Sequence, residues 1–271
     1  MRLLRGMLIA MAAALVCVEV VRPLRRRQHE PKLRRMPRNA AIGGIGAAAV
    51  QLCEQPIVLP LARWVERRGW GILPQLNVPA ALKAILALVA LDYTLYLWHI
   101  IVHRVPWLWR FHRVHHADLD MDASTAIRFH FGELIASVPW RAAQVVLIGV
   151  DARTLQLWQT LTLMSVVFHH SNARLPWPVE HRLGYLIVTP RMHGIHHSRA
   201  ADEMDSNWSS GLSLWDRLHG TLRLDVAQEA IEIGVESLDD PRDVSLARML
   251  IEPIHTTAGT RGPATALVTA D

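Results

Sequence analysis

Cysteine is scarce in these 271 residues: Cys17 and Cys53 are the only two, and both lie inside apolar stretches. That excludes a disulfide framework and a cysteine-based metal motif as the organising chemistry. Lysine is nearly missing as well, with Lys32 and Lys83 the two among 29 basic residues. No nucleotide fingerprint is present. The Gly43-Gly44-Ile45-Gly46 cluster follows no strand and precedes no Lys-Ser/Thr, so it reads as close helix packing in a membrane and not as a phosphate loop. Acidic residues are thin until the C-terminal end. Residues 222–271 hold nine acids and four Arg, which leaves about +10 on residues 1–221 against +5 overall.

Apolar residues make up 51% of the chain and the mean hydropathy is +0.17, high for a soluble enzyme. Residues 6–21 form an apolar run after Arg2 and Arg5, and eight Arg/Lys follow between Arg22 and Arg38. That block reads as a stop-transfer flank, which favours a retained transmembrane helix over a cleaved signal. Further runs cover 40–62 and 79–102. Two shorter ones, 133–149 and 154–170, form a hairpin that spans fully or re-enters. With the basic block on the cytoplasmic side, 40–62 leads out, 79–102 leads back, and both ends of the hairpin share the cytoplasmic face. The expected fold is an all-α integral membrane protein: helical hairpins in the membrane under a cytoplasmic histidine-rich helical cap holding a di-metal site. Its expected parts are an N-terminal helix and flank (1–38), a catalytic domain (39–225) and an acidic C-terminal segment (226–271). A short helix is expected over 243–254, with a frayed end at 256–271.

What is abundant is histidine. Thirteen of the fifteen lie between His99 and His219. His99 and His103 stand at i,i+4 near the end of the third run, a turn apart on one helix face. His112, His115 and His116 form an HxxHH box, repeated by His193, His196 and His197. His130 and the adjacent His169/His170 flank the hairpin. In a helix, HxxHH turns its three nitrogens to one side, where one ion takes two and a neighbour the third. A pair, two triplets and two singles make ten ligands, too many for one ion and about right for two. Imidazole suits Fe, Zn, Cu or Ni and not Ca or Mg. His29, His181, His219 and His255 lack partners at helical spacing and read as structural or surface.

The segments LDYTLYLWHIIVHRVPWLWRFHRVHHAD, RFHFGE, FHHSN and TPRMHGIHHSRAADEMDSNWSSGLSLWDRLHGTLR together resemble the membrane-bound fatty acid hydroxylase / sterol desaturase superfamily, over roughly residues 80–225. The resemblance implies a histidine-ligated di-iron centre on the cytosolic side that uses O₂ and electrons to hydroxylate or desaturate a lipid C–H position. Carried over, it implies His99, His103, His112, His115, His116, His130, His170, His193, His196 and His197 as ligands. His170 is preferred to His169 because the family's histidine directly precedes Ser/Ala-Asn. Two departures fall at Asn207-Trp208-Ser209 and at Leu218-His219-Gly220, where the family usually has Asn-aromatic-Gly and Leu-Phe-Gly.

Breaking an unactivated C–H bond lies beyond any side-chain acid or base and calls for a metal with open positions. Two Fe ions are therefore expected, with Zn as a purification substitute and O₂ as co-substrate. Electrons come from a partner such as a ferredoxin, cytochrome or reductase. The substrate is a membrane lipid, with no nucleic-acid partner. The membrane is a bacterial inner membrane, or the ER in a eukaryote. Asp92, Tyr96, Asn172, Asp205, Asn207 and Asp216 are expected to orient the imidazoles. Asp92 also reads as a helix-packing group, and Glu133 as an oxygen ligand or a charge complementing a helix dipole. The tryptophans suggest an interfacial belt, and Arg104, Arg110, Arg113 and Arg128 contacts to lipid phosphate, an acidic donor or positive-inside bias. The competing class is a membrane metal-binding or transport protein without oxygenase activity, whose site would sit at mid-membrane. A two-haem cytochrome leaves the two triplets unexplained.

Overall fold

The computed structural model describes residues 2–26 and 29–255, whose regular secondary structure is helical; three isolated antiparallel bridges are the extended pairing among them. Helix α1 (Arg2–Val21) is followed by α2 (Lys32–Ala49), which passes through a π-helical turn at Val50–Glu54 into α3 (Gln55–Arg68). Pro56 explains the turn. It has no N–H for the carbonyl one turn back and its ring crowds that carbonyl, so the backbone widens just before it. Gly69, at φ 60°, ends α3, and α4 (Ile72–Gln75) leads to α5 (Ala80–Arg104). At 1.5 Å per residue α5 is about 37 Å long, more than the hydrocarbon core of a bilayer.

Three helical spans, Lys32–Gln75, Ala80–Arg104 and Phe131–Ile148, are long and apolar enough to cross a membrane. The last consists of α7 (Phe131–Ala136) and α8 (Val138–Ile148), between which Pro139 falls in the first turn of α8. Helix α8 stops at Gly149 (φ 83°), where a Cβ on Gly71 would overlap the Gly149 backbone. Helix α9 (Ala152–His170) returns, interrupted in apolarity by Gln156, Gln159, Thr160 and Thr162. Val58, Ala62 and Val65 of α3 pack with Leu91, Val145, Leu155 and Trp158 into the core joining α3, α5, α8 and α9. Gly46 of α2 lies so near α7 that a Cβ there would stand 3.0 Å from Leu134, in line with the close-packing reading of that glycine cluster.

Between and after these helices the chain builds a cap: α6 (Pro106–His116), α10 (Trp177–Leu183), α11 (Pro190–His196), α12 (Ala201–Met204), α13 (Leu214–His219) and α14 (Leu246–His255). Helix α14 falls close to the one expected at 243–254 and packs Met249 with Trp109 and Val114 of α6. The frayed end expected at 256–271 lies outside the described residues.

The basic block does not behave as a simple flank. Helix α2 starts inside it, so Arg35 is buried against Asp118 (2.9 Å) and Asp122, while Arg38 pairs with Glu30 at 2.7 Å. Helix α1 docks on the cap through buried Glu19, whose carboxylate accepts the N–H groups of Ala123 and Asn172, each at 2.8 Å. The tryptophans also divide: Trp107 and Trp177 are exposed, whereas Trp98 and Trp109 are interior and Trp109 packs 4.8 Å from the His103 ring.

Candidate metal centre

Nine of the ten expected ligands converge in two buried groups: His99, His103, His112, His116 and His196, and His115, His170, His193 and His197. Within each group the ligand nitrogens lie within 4.8 Å of one another. The HxxHH boxes cross over between them. Helix α6 gives its i,i+4 pair, His112 and His116, to the first group and His115 to the second. Helix α11 and its C-cap give His193 and His197 to the second group and His196 to the first. The first group is completed by the i,i+4 pair of α5, and the second by the last residue of α9.

The Nε2 atoms point at shared centres. Separations are 3.1 Å for His99–His196, 2.9 Å for His115–His170, 3.1 Å for His170–His193 and 3.2 Å for His193–His197. Two imidazoles at right angles on one ion, each with a metal–nitrogen bond of about 2.1 Å, stand about 3.0 Å apart. Both nitrogens of His103 and His116 are buried without a protein hydrogen-bond partner, as is Nε2 of His112. Buried polar atoms left so are costly unless something binds them. The donor set is neutral, nitrogen-only and convergent, which fits a pair of transition-metal ions.

Burial, reinforced by neighbouring imidazoles, pushes His115, His116, His193 and His197 well below the ordinary histidine value, and burial holds His196 at about 3. All five are therefore neutral, as ligation requires.

The ring orientations are fixed from behind. Nδ1 of His99 donates to the Trp208 carbonyl (2.7 Å), that of His196 to Ser206 (2.9 Å) and that of His170 to Val166 (2.8 Å), while His112 Nδ1 donates to Glu133 Oε1 (3.0 Å). The three carbonyls were invisible in the sequence, since a backbone oxygen has no residue signature. Glu133 was visible as an acid three residues past His130, but its partner is His112.

The expected orienting residues act at one remove. Asp216 accepts the N–H groups of Trp208 (2.8 Å) and Ser209 (3.0 Å), and Asn207, at φ 52°, donates to the Met192 and Arg223 carbonyls, both at 2.9 Å. Together they hold the loop carrying the carbonyls of Ser206 and Trp208. Asp92 accepts from Leu212 N (3.0 Å) and Trp215 Nε1 (2.7 Å), and Tyr96 bonds to Thr221 (3.2 Å), so neither reaches His99 as expected. Asn172 pairs with the Arg25 backbone at 2.8 Å, and Asp205 with Arg104 at 3.5 Å.

His130 stands apart from both groups. Its Nδ1 accepts from Gly132 N (3.0 Å) as the N-cap of α7, and its Nε2 donates to the Leu250 carbonyl of α14 (3.2 Å), so both nitrogens are committed. His169, passed over for His170, is buried with its ring centroid 4.0 Å from that of His193. His219 stacks on Tyr93 and Tyr96. Arg128 and Arg113 are interior ties and not lipid contacts: Arg128 donates to the Val114 carbonyl (2.8 Å) and Asn39 Oδ1 (2.8 Å), and Arg113 pairs with Glu252 (3.1 Å).

A cavity of about 390 Å³ reaches His99, His112, His115, His170 and His193. Leu95, Val102, Phe129, Leu163 and Val166 make much of its wall apolar.

Among curated proteins the chain is similar to the ornithine lipid hydroxylase of Rhizobium tropici, 29% identical over 58% of this chain and 46% of that one. It is 31% identical to the cholesterol 25-hydroxylase-like protein of Danio rerio, over 55% of this chain and 60% of the relative. It is 27% identical to the human alkylglycerol monooxygenase, over 50% of this chain and 29% of the other. The matches thus span between 29% and 60% of the length of these relatives. No solved structure matches it significantly. The model of the fatty acid hydroxylase family matches residues 84–221, half of the chain, and that segment contains every histidine of both groups. The chain belongs to the fatty acid hydroxylase family.

Proposed function

We propose that this membrane protein is a di-iron oxygenase that hydroxylates or desaturates a C–H position of a lipid, using O₂ and electrons from a partner protein. The observation that carries the reading is the pair of buried, neutral imidazole groups opening onto a largely apolar cavity. Sequence segment 39–225 is the catalytic unit in this reading, and the histidines face the cytoplasm. The ornithine lipid, sterol and alkylglycerol relatives support a lipid as the substrate.

His99, His103, His112, His116 and His196 would hold one iron, and His115, His170, His193 and His197 the other. Bound there, the irons supply the O₂-dependent oxidising power that no side chain has. The protein's own work is positional. Glu133 and the carbonyls of Ser206, Trp208 and Val166 hold protons on Nδ1, so that Nε2 keeps its lone pair toward the metal. Asp216 and Asn207 fix the loop behind them. The apolar cavity wall excludes water and seats a hydrocarbon segment against the histidines.

The test compares lipids of cells making the full chain with those of cells making His196→Ala. Expected is a class of lipid gaining 16 or losing 2 mass units with the wild type alone, together with two irons per purified chain. Metal binding with no lipid change in the presence of reductant favours the metal-handling alternative.

A further inference from the structure

The cavity beside the histidines has a second, polar end. On α9, Gln159, Thr162, Leu163, Val166, His169 and His170 all line it, forming one stripe along the helix. Ten residues separate Gln159 from His169, about 15 Å at helical rise. At the Gln159 level Nε2 of that residue donates to Glu54 Oε1 at 3.2 Å, and the Arg141 guanidinium lies 4.8 Å from the ring centroid of Trp158. Arg141 also donates a long bond, 3.4 Å, to Gln144 Oε1. Glu54, Arg141 and Gln159 line the cavity and belong to helices packed in the apolar bundle. Glu54 closes the π-helical turn, a distortion that recurs at functional sites.

Charged side chains among apolar helices are expensive and by default mark a ligand or an ion path. Here the two side chains, Glu54 and Arg141, are of opposite formal charge and line the same cavity. Their formal charges cancel in sum, and the lining offers both guanidinium N–H donors and a carboxylate acceptor. A carboxylate headgroup would meet Glu54 and an ammonium would meet Arg141, each an uncompensated repulsion. A plain hydrocarbon end would add nothing to the bond that Glu54 accepts from Gln159 or to the long one that Arg141 donates to Gln144. A hydroxyl suits both in kind, since it can accept from a guanidinium and donate to a carboxylate.

We propose that Glu54, Arg141 and Gln159 form a subsite for the hydroxyl group of a lipid alcohol, placing the carbon to be oxidised about 15 Å away at the histidines by the rise of α9. The proposal rests on the oxygenase reading for what happens at the histidine end, but binding alone tests it. The full chain in nanodiscs, without reductant, is loaded with radiolabelled tetradecan-1-ol. Unlabelled tetradecan-1-ol, tetradecane, tetradecanoate and a zwitterionic N-tetradecyl betaine then compete by scintillation proximity. The alcohol is expected to compete roughly tenfold better than the alkane, the size of one well-made hydrogen bond. Arg141→Met and Gln159→Leu are expected to erase most of that margin while keeping wild-type metal content. Gln159→Leu retains both charges and keeps the test readable should Arg141→Met not accumulate. Equal competition by tetradecane, or stronger competition by the carboxylate or the betaine, overturns the proposal. Retained discrimination without any oxidation after reductant is added leaves the subsite standing and removes the oxygenase reading.

Discussion

Glu133 Oε1 lies 3.0 Å from Nδ1 of His112, which ties a carboxylate of α7 to an imidazole of α6 that faces the first histidine group. A carboxylate behind a ligating imidazole fixes its tautomer and raises its basicity. Glu133→Ala is expected to lower metal affinity or turnover about 10–100-fold, the usual effect of losing such a partner. Glu133→Gln, which still accepts a hydrogen bond, should lose less. Metal content after dialysis against a graded chelator series reads the difference, and equal losses in both variants would remove the orienting role.

His130 and His193 should part company. His130→Ala removes an N-cap and is expected to cost about 1 kcal/mol of stability while leaving metal stoichiometry unchanged. His193→Ala should release metal. Elemental analysis of the two purified variants decides, and metal loss from His130→Ala would restore that residue to the ligand set implied by the family resemblance.

The buried ion network predicts a sharp contrast between neighbours on α2. Arg35→Ala leaves buried Asp118 with Arg38 at 3.5 Å and Asp122 with Lys32 at 3.9 Å as their remaining cations, and should cost about 3 kcal/mol. Arg34 is exposed, and Arg34→Ala should stay within about 0.5 kcal/mol of wild type. Thermal unfolding in detergent measures both; similar Tm values would contradict the network's importance.

Acid should destabilise the metal-free protein in a defined window. His115, His116, His193, His196 and His197 are held below the ordinary histidine value by burial first and, for all but His196, by neighbouring imidazoles next. The unfolded chain takes up protons near pH 6.5 that the folded chain refuses, so their stabilising contribution is intact above that pH. It falls by up to about 1.4 kcal/mol per pH unit for each histidine as pH drops below about 6.5. For His196 the loss runs to about pH 3, its folded value. Tm of the apo protein at pH 8, 6.5 and 5 should be flat across the first interval and fall across the second; a Tm level down to pH 5 would contradict the neutral, buried state.

The histidine boxes were legible because helical periodicity alone puts His112 with His116 and His99 with His103. What decided which nitrogen joins which group was the crossing of α6 and α11, a tertiary fact that no local spacing encodes. His130 sits in a matching motif, RFHFGE, while its ring is engaged by Gly132 and by Leu250, 120 residues away, which the motif does not encode. The basic block was read as one flank because charge density does not reveal that Asp118 and Asp122 lie waiting for Arg35. Asp92 and Tyr96 share a helix face with His99, but their partners, Trp215 and Thr221, come from more than 120 residues further along.

The exchange of histidines between α6 and α11 has a consequence for occupancy. Each helix grips both positions, so filling one position clamps the two helices against each other and pre-forms its neighbour. A titration of the apo protein with ferrous ion should therefore rise as a cooperative two-ion step, with the half-filled species scarce throughout.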